Sequence, residues 1–202
     1  HIAHLYAVYP GNEIHPLINT ELANAAKKSL ELRGDGRLLS DDPASGGNWS
    51  MMYRMMCWAR LSDGNRADNI FTKLLIDQGF ENLCTYQQAG YHWERRDLYK
   101  EGDSLFCHFQ LDASAAIPGF VAELLLQSQW GEIDLLPALP DQWKEGNVKG
   151  LRARGGYIVD LAWKEGNLTN AMIHSTTGRK PIIRLEGKIV DIETEDRINV
   201  SK

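Results

Sequence analysis

No apolar run among these 202 residues approaches the roughly 20 residues that a helix needs to cross a bilayer, so no membrane-spanning segment is expected. There is no excess of positive charge. The formal net charge is -5, which gives no general pull toward nucleic acid or an anionic membrane, and neither is expected as a partner. Cysteine is scarce: Cys57, Cys84 and Cys107 are far apart, and the absence of a CxxC pair argues against a zinc ribbon. An odd count leaves at least one thiol free in a monomer. No HExxH pattern occurs. His1 and His4 would share a face in a helical turn, but no third ligand accompanies them, and no metal or cofactor is expected. No internal repeat and no low-complexity segment is found, which argues against a helical repeat protein. The chain also has no initiator Met and no signal-like start. It opens at His1 in what reads as ordered sequence, so we expect a piece of a longer protein.

What is present is ordinary for a folded protein: 43% hydrophobic and 24% charged residues. Helical spacing dominates the first part. Residues 20–32 have a capping Asn19 or Thr20, a first-turn Glu21 and a stripe of Leu22, Ala25, Ala26 and Leu30. Residues 49–61 carry a stripe of Met52, Met55, Met56 and Ala59, read as core, with Trp49 and Trp58 beside it. Residues 66–78 turn Ala67, Ile70, Phe71, Leu74 and Leu75 inward. Short helices with broad apolar faces and polar links fit stacked α-hairpins. The segment 40–47 (SDDPASGG) reads as a loop that could rim a cleft. Residues 81–103, with Tyr86, Tyr91, His92, Trp93 and Tyr99, read as a long aromatic loop.

The texture changes at Gly131. Gly-containing turns recur at 154–156, 165–167 and 186–188, and the residues between them alternate. Tyr157, Val159, Leu161 and Trp163 share one face, while Asp160 lies on the other. Strands are expected near 148–154, 157–164, 168–175, 181–185 and 188–193. Helices followed by strands predict two segregated units, 1–130 and 131–202, the second antiparallel.

One stretch stands out within the helical part. Phe106-Cys107-His108-Phe109-Gln110-Leu111 leads to Asp112, followed by Ala113, Ser114, Ala115 and Ala116 and then an apolar helix ending near Gln129. A carboxylate at a helix mouth has two readings. It caps the orphan N–H groups of the first turn, or it is a catalytic group at the floor of a pocket. The two roles are compatible, because the helix dipole favours an anion there.

Four stretches together resemble glycoside hydrolase family 95, the inverting α-L-fucosidases. They are His4-Leu5-Tyr6 through Tyr9-Pro10-Gly11-Asn12; KSLELRGDG with Trp49-Ser50 and Trp58-Ala59-Arg60-Leu61; Phe109-Gln110-Leu111-Asp112 with Ala122-Glu123 and Leu126-Gln127-Ser128; and GEIDLLPALPDQW through VKGLRARGGYIVDLAW. The resemblance implies the end of a six-hairpin α/α barrel at 1–130, followed by an antiparallel, β-sandwich-like domain at 131–202. It also implies that an N-terminal part of the same enzyme lies upstream.

By the same resemblance, Asp112 stands at the Asp of the family's FQxDG motif, which polarises an Asn that acts as base on water. His4 stands at a His that contacts the sugar, and Trp49 is a candidate for the pocket wall. The family's general acid is a Glu outside this chain, so the isolated piece is expected to be inactive. The implied substrate is a glycan with terminal α-L-fucosyl or related α-L-galactosyl residues, and the implied location is periplasmic or secreted. Ala113-Ser114 replaces the family's usual Gly-Asn, which leaves room for a different sugar. An inverting glycosidase needs an acid on one face of the sugar and a water activator on the other. Two alternatives stay open: a phosphorylase or lyase on a similar barrel, and a non-catalytic carbohydrate-binding or scaffold piece.

Overall fold

The computed structural model describes residues 2–34, 48–88 and 107–190. The expected loop at 40–47, most of the aromatic stretch and His1 lie outside the described residues. The first part is helical: α1 (Thr20–Leu32), α2 (Asn48–Arg60), α3 (Gly64–Gln78) and α4 (Leu111–Leu125). Helix α2 is the centre, with α3 and α4 packed against it. Its Met51, Met52, Met55, Met56, Cys57, Trp58 and Ala59 are all buried. Unbranched Met side chains fill gaps of irregular shape between packed helices. From α1 the inward residues are Ala23, Ala26 and Leu30, whereas the expected Leu22 is 55% exposed. The stripe is rotated by one residue, and it joins α1 to the same core. Helix α3 starts at Asp63, whose carboxylate accepts from the Arg66 N–H at 3.1 Å, a regular N-cap.

Two strands interrupt the helices, against the expectation of an unbroken helical part. Strands β1 (Tyr86–Gln88) and β2 (Cys107–Phe109) pair antiparallel, with Tyr86 opposite Phe109. They are tied to the mouth of α4. The Thr85 N–H donates to Ser114 Oγ at 2.9 Å, and that hydroxyl donates to the Gln110 carbonyl at 2.9 Å. Helix α4 ends at Leu125, earlier than expected, because Leu126 is already extended.

The second part contains β3 (Leu126–Gln127), β4 (Ile133–Leu135), β5 (Glu145–Ala153), β6 (Tyr157–Lys164), β7 (Asn167–Ser175), β8 (Ile183–Leu185) and β9 (Lys188–Val190). Strands β5-β6-β7 form an antiparallel meander, and β3-β4-β8-β9 form a second sheet. The pairing is antiparallel except between β4 and β8, which run parallel. That exception follows from the long path separating them: the whole meander lies between, so β8 can return beside β4 in the same direction. Along β6, Tyr157, Val159, Leu161 and Trp163 are buried as the alternation requires. The β6–β7 and β8–β9 hairpins turn on Glu165-Gly166 and Glu186-Gly187. All four residues have positive φ, as in type I′ turns that match the strand twist.

A polar seam joins the helical and β parts. The Arg60 guanidinium, 3% exposed at the end of α2, grips Glu123 of α4 with two charge-assisted bonds of 2.6 and 2.9 Å. A third bond of 3.2 Å runs to the Gly11 carbonyl. The same guanidinium stacks over the Tyr9 and Trp130 rings, at 5.2 and 5.8 Å from their centroids. Trp130 donates to the Asn12 carbonyl at 2.9 Å, and the Asn12 amide donates to the Gln129 carbonyl at 3.1 Å. Gln127 donates to the Ala59 and Glu123 carbonyls at 2.9 and 3.0 Å. Farther along, the Trp143 N–H donates to Asp68 of α3, and the Trp163 N–H donates to the Trp143 carbonyl. At Gly64 a side-chain carbon would stand 2.0 Å from the Ala138 carbonyl oxygen, so only glycine lets the connector after β4 lie on the start of α3.

Because Arg60 is buried, removing its partner strands a desolvated cation. Glu123→Leu and Arg60→Met are each expected to lower stability by about 3–5 kcal/mol. The double variant should lose clearly less than the sum. Thermal or urea unfolding of the three variants checks this, and additive losses would show that the pair is not coupled.

Candidate active site

The mouth of α4 is set by Gln110, whose backbone (φ -109°, ψ 89°) turns the chain from β2 into the helix. Asp112 is the second residue of that helix and its first-turn acid. Its neighbour Ala113 is fully buried, so the packing fixes α4 while Asp112 itself is exposed. The Asp112 carboxylate accepts from the Ala113 N–H at 3.0 Å, so it meets the positive end of the helix through the adjacent amide and keeps acceptor capacity for a partner. Of the two readings of this residue, the first-turn one is therefore present in modest form. It spends little of the carboxylate.

His4 lies in a 3-10 turn at Ala3–Leu5 and is exposed. Its Nε2 is 2.7 Å from Ser29 Oγ of α1. Desolvation and then the positive charge of Arg33 hold its pKa below the ordinary histidine value, so the ring is neutral at neutral pH. A neutral ring with one nitrogen engaged by a hydroxyl can offer the other as donor or acceptor. The end of α1 beside it is clamped by Arg54, which is 1% exposed and donates to the Gly34 and Arg33 carbonyls and to Ser50 Oγ. Trp49, in the first turn of α2, is 43% exposed. Among the described residues no hydrogen bond joins His4 or Asp112 to each other or to Trp49. Each side chain opens to the surface from a different element, and each element is anchored in the same core.

Residues 1–125 match the glycosyl hydrolase family 95 catalytic domain, and residues 127–202 match the glycoside hydrolase family 95 C-terminal domain. The chain belongs to glycoside hydrolase family 95. Among its relatives is the protein named alpha-L-fucosidase 2 of Arabidopsis thaliana, 35% identical over 83% of this chain and 18% of the relative. Another is the probable alpha-fucosidase A of Aspergillus oryzae, 32% identical over 94% of this chain and 26% of the relative. A third, of Aspergillus niger and of the same name, is 26% identical over 85% of this chain and 21% of the relative. The chain thus spans about a fifth to a quarter of the length of the relatives it matches.

Within this family 95 chain, three residues to which the sequence assigns no role organise the surroundings: Arg54, Arg60 and Asp134. For the arginines a signal exists. A guanidinium inside MMYRMMCWAR, on a helix that is apolar nearly all round, must be buried and paired. Asp134 likewise interrupts an apolar run. It is 8% exposed on β4, opposite Arg184 of β8. Burial raises its pKa from 3.8 to about 7, with Arg184 opposing and Glu132 adding to the shift. Arg184 is already committed to Glu132, at 2.5 and 2.9 Å. On the other side of Glu132 stands His15, whose Nδ1 accepts from the Leu17 N–H and whose Nε2 is 3.7 Å from the carboxylate. Burial holds His15 below its ordinary value.

The raised pKa has a definite sign. The folded chain keeps the Asp134 proton through a range where the unfolded chain has lost it. Stability from this group therefore falls as pH rises from about 4 to about 7 and stays reduced above. His15 acts oppositely, losing stability as pH falls below its ordinary value. Asp134→Asn should therefore raise the melting temperature most at about pH 8, with the gain shrinking toward about pH 4. Calorimetry across that range checks it, and a gain independent of pH would refute the assignment.

Proposed function

We propose that this chain supplies part of the active site of an inverting glycosidase that removes terminal α-L-fucosyl, or related α-L-galactosyl, residues from glycans. The observation that carries the reading is the family match, which runs in order through both parts of the chain, 1–125 and then 127–202. The names of the relatives, alpha-L-fucosidase 2 and probable alpha-fucosidase A, support the choice of sugar. In this reading residues 1–130 are the end of an α/α barrel and residues 131–202 a sandwich-like β domain. The remainder of the enzyme supplies the other hairpins and the general acid.

The role assigned to each residue is the one the family resemblance implies, and its surroundings are compatible with it. Inversion requires a water activated on the face opposite the leaving oxygen. In this reading Asp112, an exposed carboxylate at a helix N-terminus with acceptor capacity to spare, polarises a side-chain amide from elsewhere in the enzyme, which then draws a proton from that water. Protonation of the leaving oxygen falls, in this reading, to a carboxylic acid from elsewhere in the enzyme. His4, neutral and held through Ser29, suits a hydrogen bond to a sugar hydroxyl. Trp49 offers an exposed ring to the apolar face of a sugar.

The test is hydrolysis of an aryl α-L-fucoside, with the L-galactoside as second choice, by three proteins: the full-length enzyme, its Asp112→Asn variant and this 202-residue piece. The variant should fold normally and lose on the order of a hundredfold or more in turnover, because the anion that orients the base is gone. The isolated piece should be inactive. Near-normal turnover by the variant removes Asp112 from the mechanism, and robust turnover by the piece shows that the acid lies within it.

A further inference from the structure

We propose that the cleft where the α2–α3 turn meets the β8–β9 hairpin is a second carbohydrate-binding site, in which Asp134 accepts a hydrogen bond from a sugar hydroxyl. The proposal rests on the glycan-directed reading above for its ligand class. It concerns a place that none of His4, Trp49 and Asp112 lines. The cleft has a volume of about 270 Å³, near the lower end of ligand pockets. Its apolar walls come from Leu17, Leu135, Pro137, Leu168 and Leu185, and its rim from Ser62 and the Gly166 and Gly187 turns. A neighbouring cleft of about 330 Å³ shares Ser62, Leu136, Pro137 and Gly166 with it and continues toward Asn65 and Asp141. The two together offer room for more than one sugar unit.

Asp134 is the feature that points to a ligand. It lines the cleft, is only 8% exposed and receives no hydrogen bond from the described residues. Its cross-strand neighbour is engaged elsewhere: Arg184 gives Nε and one terminal nitrogen to Glu132 and the other terminal nitrogen to the Gly187 carbonyl at 2.7 Å. Its oxygens are not among the sealed unpaired atoms, so their donor comes from the cleft itself, from water or from a ligand hydroxyl that displaces it. The surroundings narrow that ligand. A cation is disfavoured by the adjacent Arg184, and the two carboxyls of the lining, Asp134 and Glu186, fall short of the roughly six to eight oxygen ligands that calcium takes. An anion would meet Asp134 and Glu186. An apolar molecule would leave the carboxyl unsatisfied. A neutral, hydroxyl-bearing ligand with some apolar C–H surface fits all four conditions, and a sugar unit is such a ligand.

The test uses the full-length protein carrying Asp112→Asn, so that bound glycan is not consumed. Methyl resonances of Leu17, Leu168 and Leu185 are followed while L-fucose, D-galactose, D-glucose and a fucosylated oligosaccharide are titrated. Saturable shifts with at least one of them are expected. Asp134→Leu should weaken that binding about tenfold, and Asp134→Asn, which keeps the volume and an acceptor oxygen, should stay within about threefold. No shift with any sugar, or equal binding by Asp134→Leu and the parent, overturns the proposal. So does the finding that these methyls contact polypeptide from outside this chain, which would mean that the cleft is filled in the whole protein. Hydrolysis by the unsubstituted enzyme is scored separately: cleft shifts without hydrolysis uphold this site and count against the proposed activity, and hydrolysis without cleft shifts does the reverse.

Discussion

Most of the architecture depends on one buried cation. Arg60 sits where α2 ends, the Tyr9–Asn12 turn passes, α4 runs by and the first β residues begin. Taking a guanidinium out of water is expensive unless nearly all its donors are used and the charge is matched. Here Glu123 matches it, Gly11 takes a further donor, and the two aromatic faces cover it. The requirement works in both directions. Three stretches far apart in sequence, the Tyr9–Asn12 turn, the end of α2 and the run from Glu123 to Trp130, must arrive together, or none of them can cover the charge. An apolar contact at the same place would tolerate sliding, and a bidentate pair between two aromatic rings does not.

The same logic explains how a modest helical part can display functional groups at its surface. Asp112 and His4 are exposed and make few bonds of their own, yet the residues beside them do not move freely. Ala113 is locked in the core, Ser114 ties α4 to Thr85, and Arg54 holds the end of α1 close to Ser29. Rigidity is supplied from underneath, and the exposed polar atoms of Asp112 and His4 are left with unused hydrogen-bonding capacity. This is a useful arrangement for groups that must meet a polar ligand.

Sequence patterning captured what is local. The bounds of α1 and β6, the buried Met stripe and the alternation along β6 all follow from spacing. Phase was harder: Leu22 faces out because two alanines, which carry little weight in an apolar pattern, face in. The parallel β4–β8 pairing was not legible, since strands of three residues contain no mark of direction. Asp112 was singled out through family resemblance and through its place before a helix. Its orientation depends on Ala113 and Ser114, whose contacts lie across the fold. Arg60 and Glu123 were quoted among the resembling residues without a role, because a pair separated by so much chain leaves no periodic signal. Asp134 was lost for a related reason. A lone acid in a short apolar run looks like a strand edge until the strand opposite it is known.

The seam has a consequence for anyone recombining members of this family. Its two recognised domains meet at residues 125 and 127, and that junction looks like a natural place to splice. Energetically it is no boundary. Gln127 belongs to the second domain, yet both amide bonds it donates end on helical carbonyls. Trp130 and Glu132 likewise reach back to Asn12 and His15. A chimera that exchanged the C-terminal domain alone would inherit half of each of these partnerships. To be grafted intact, the β domain has to bring the residue 9–15 turn and the end of α2 with it, which makes the heritable unit of this protein a surface rather than a segment.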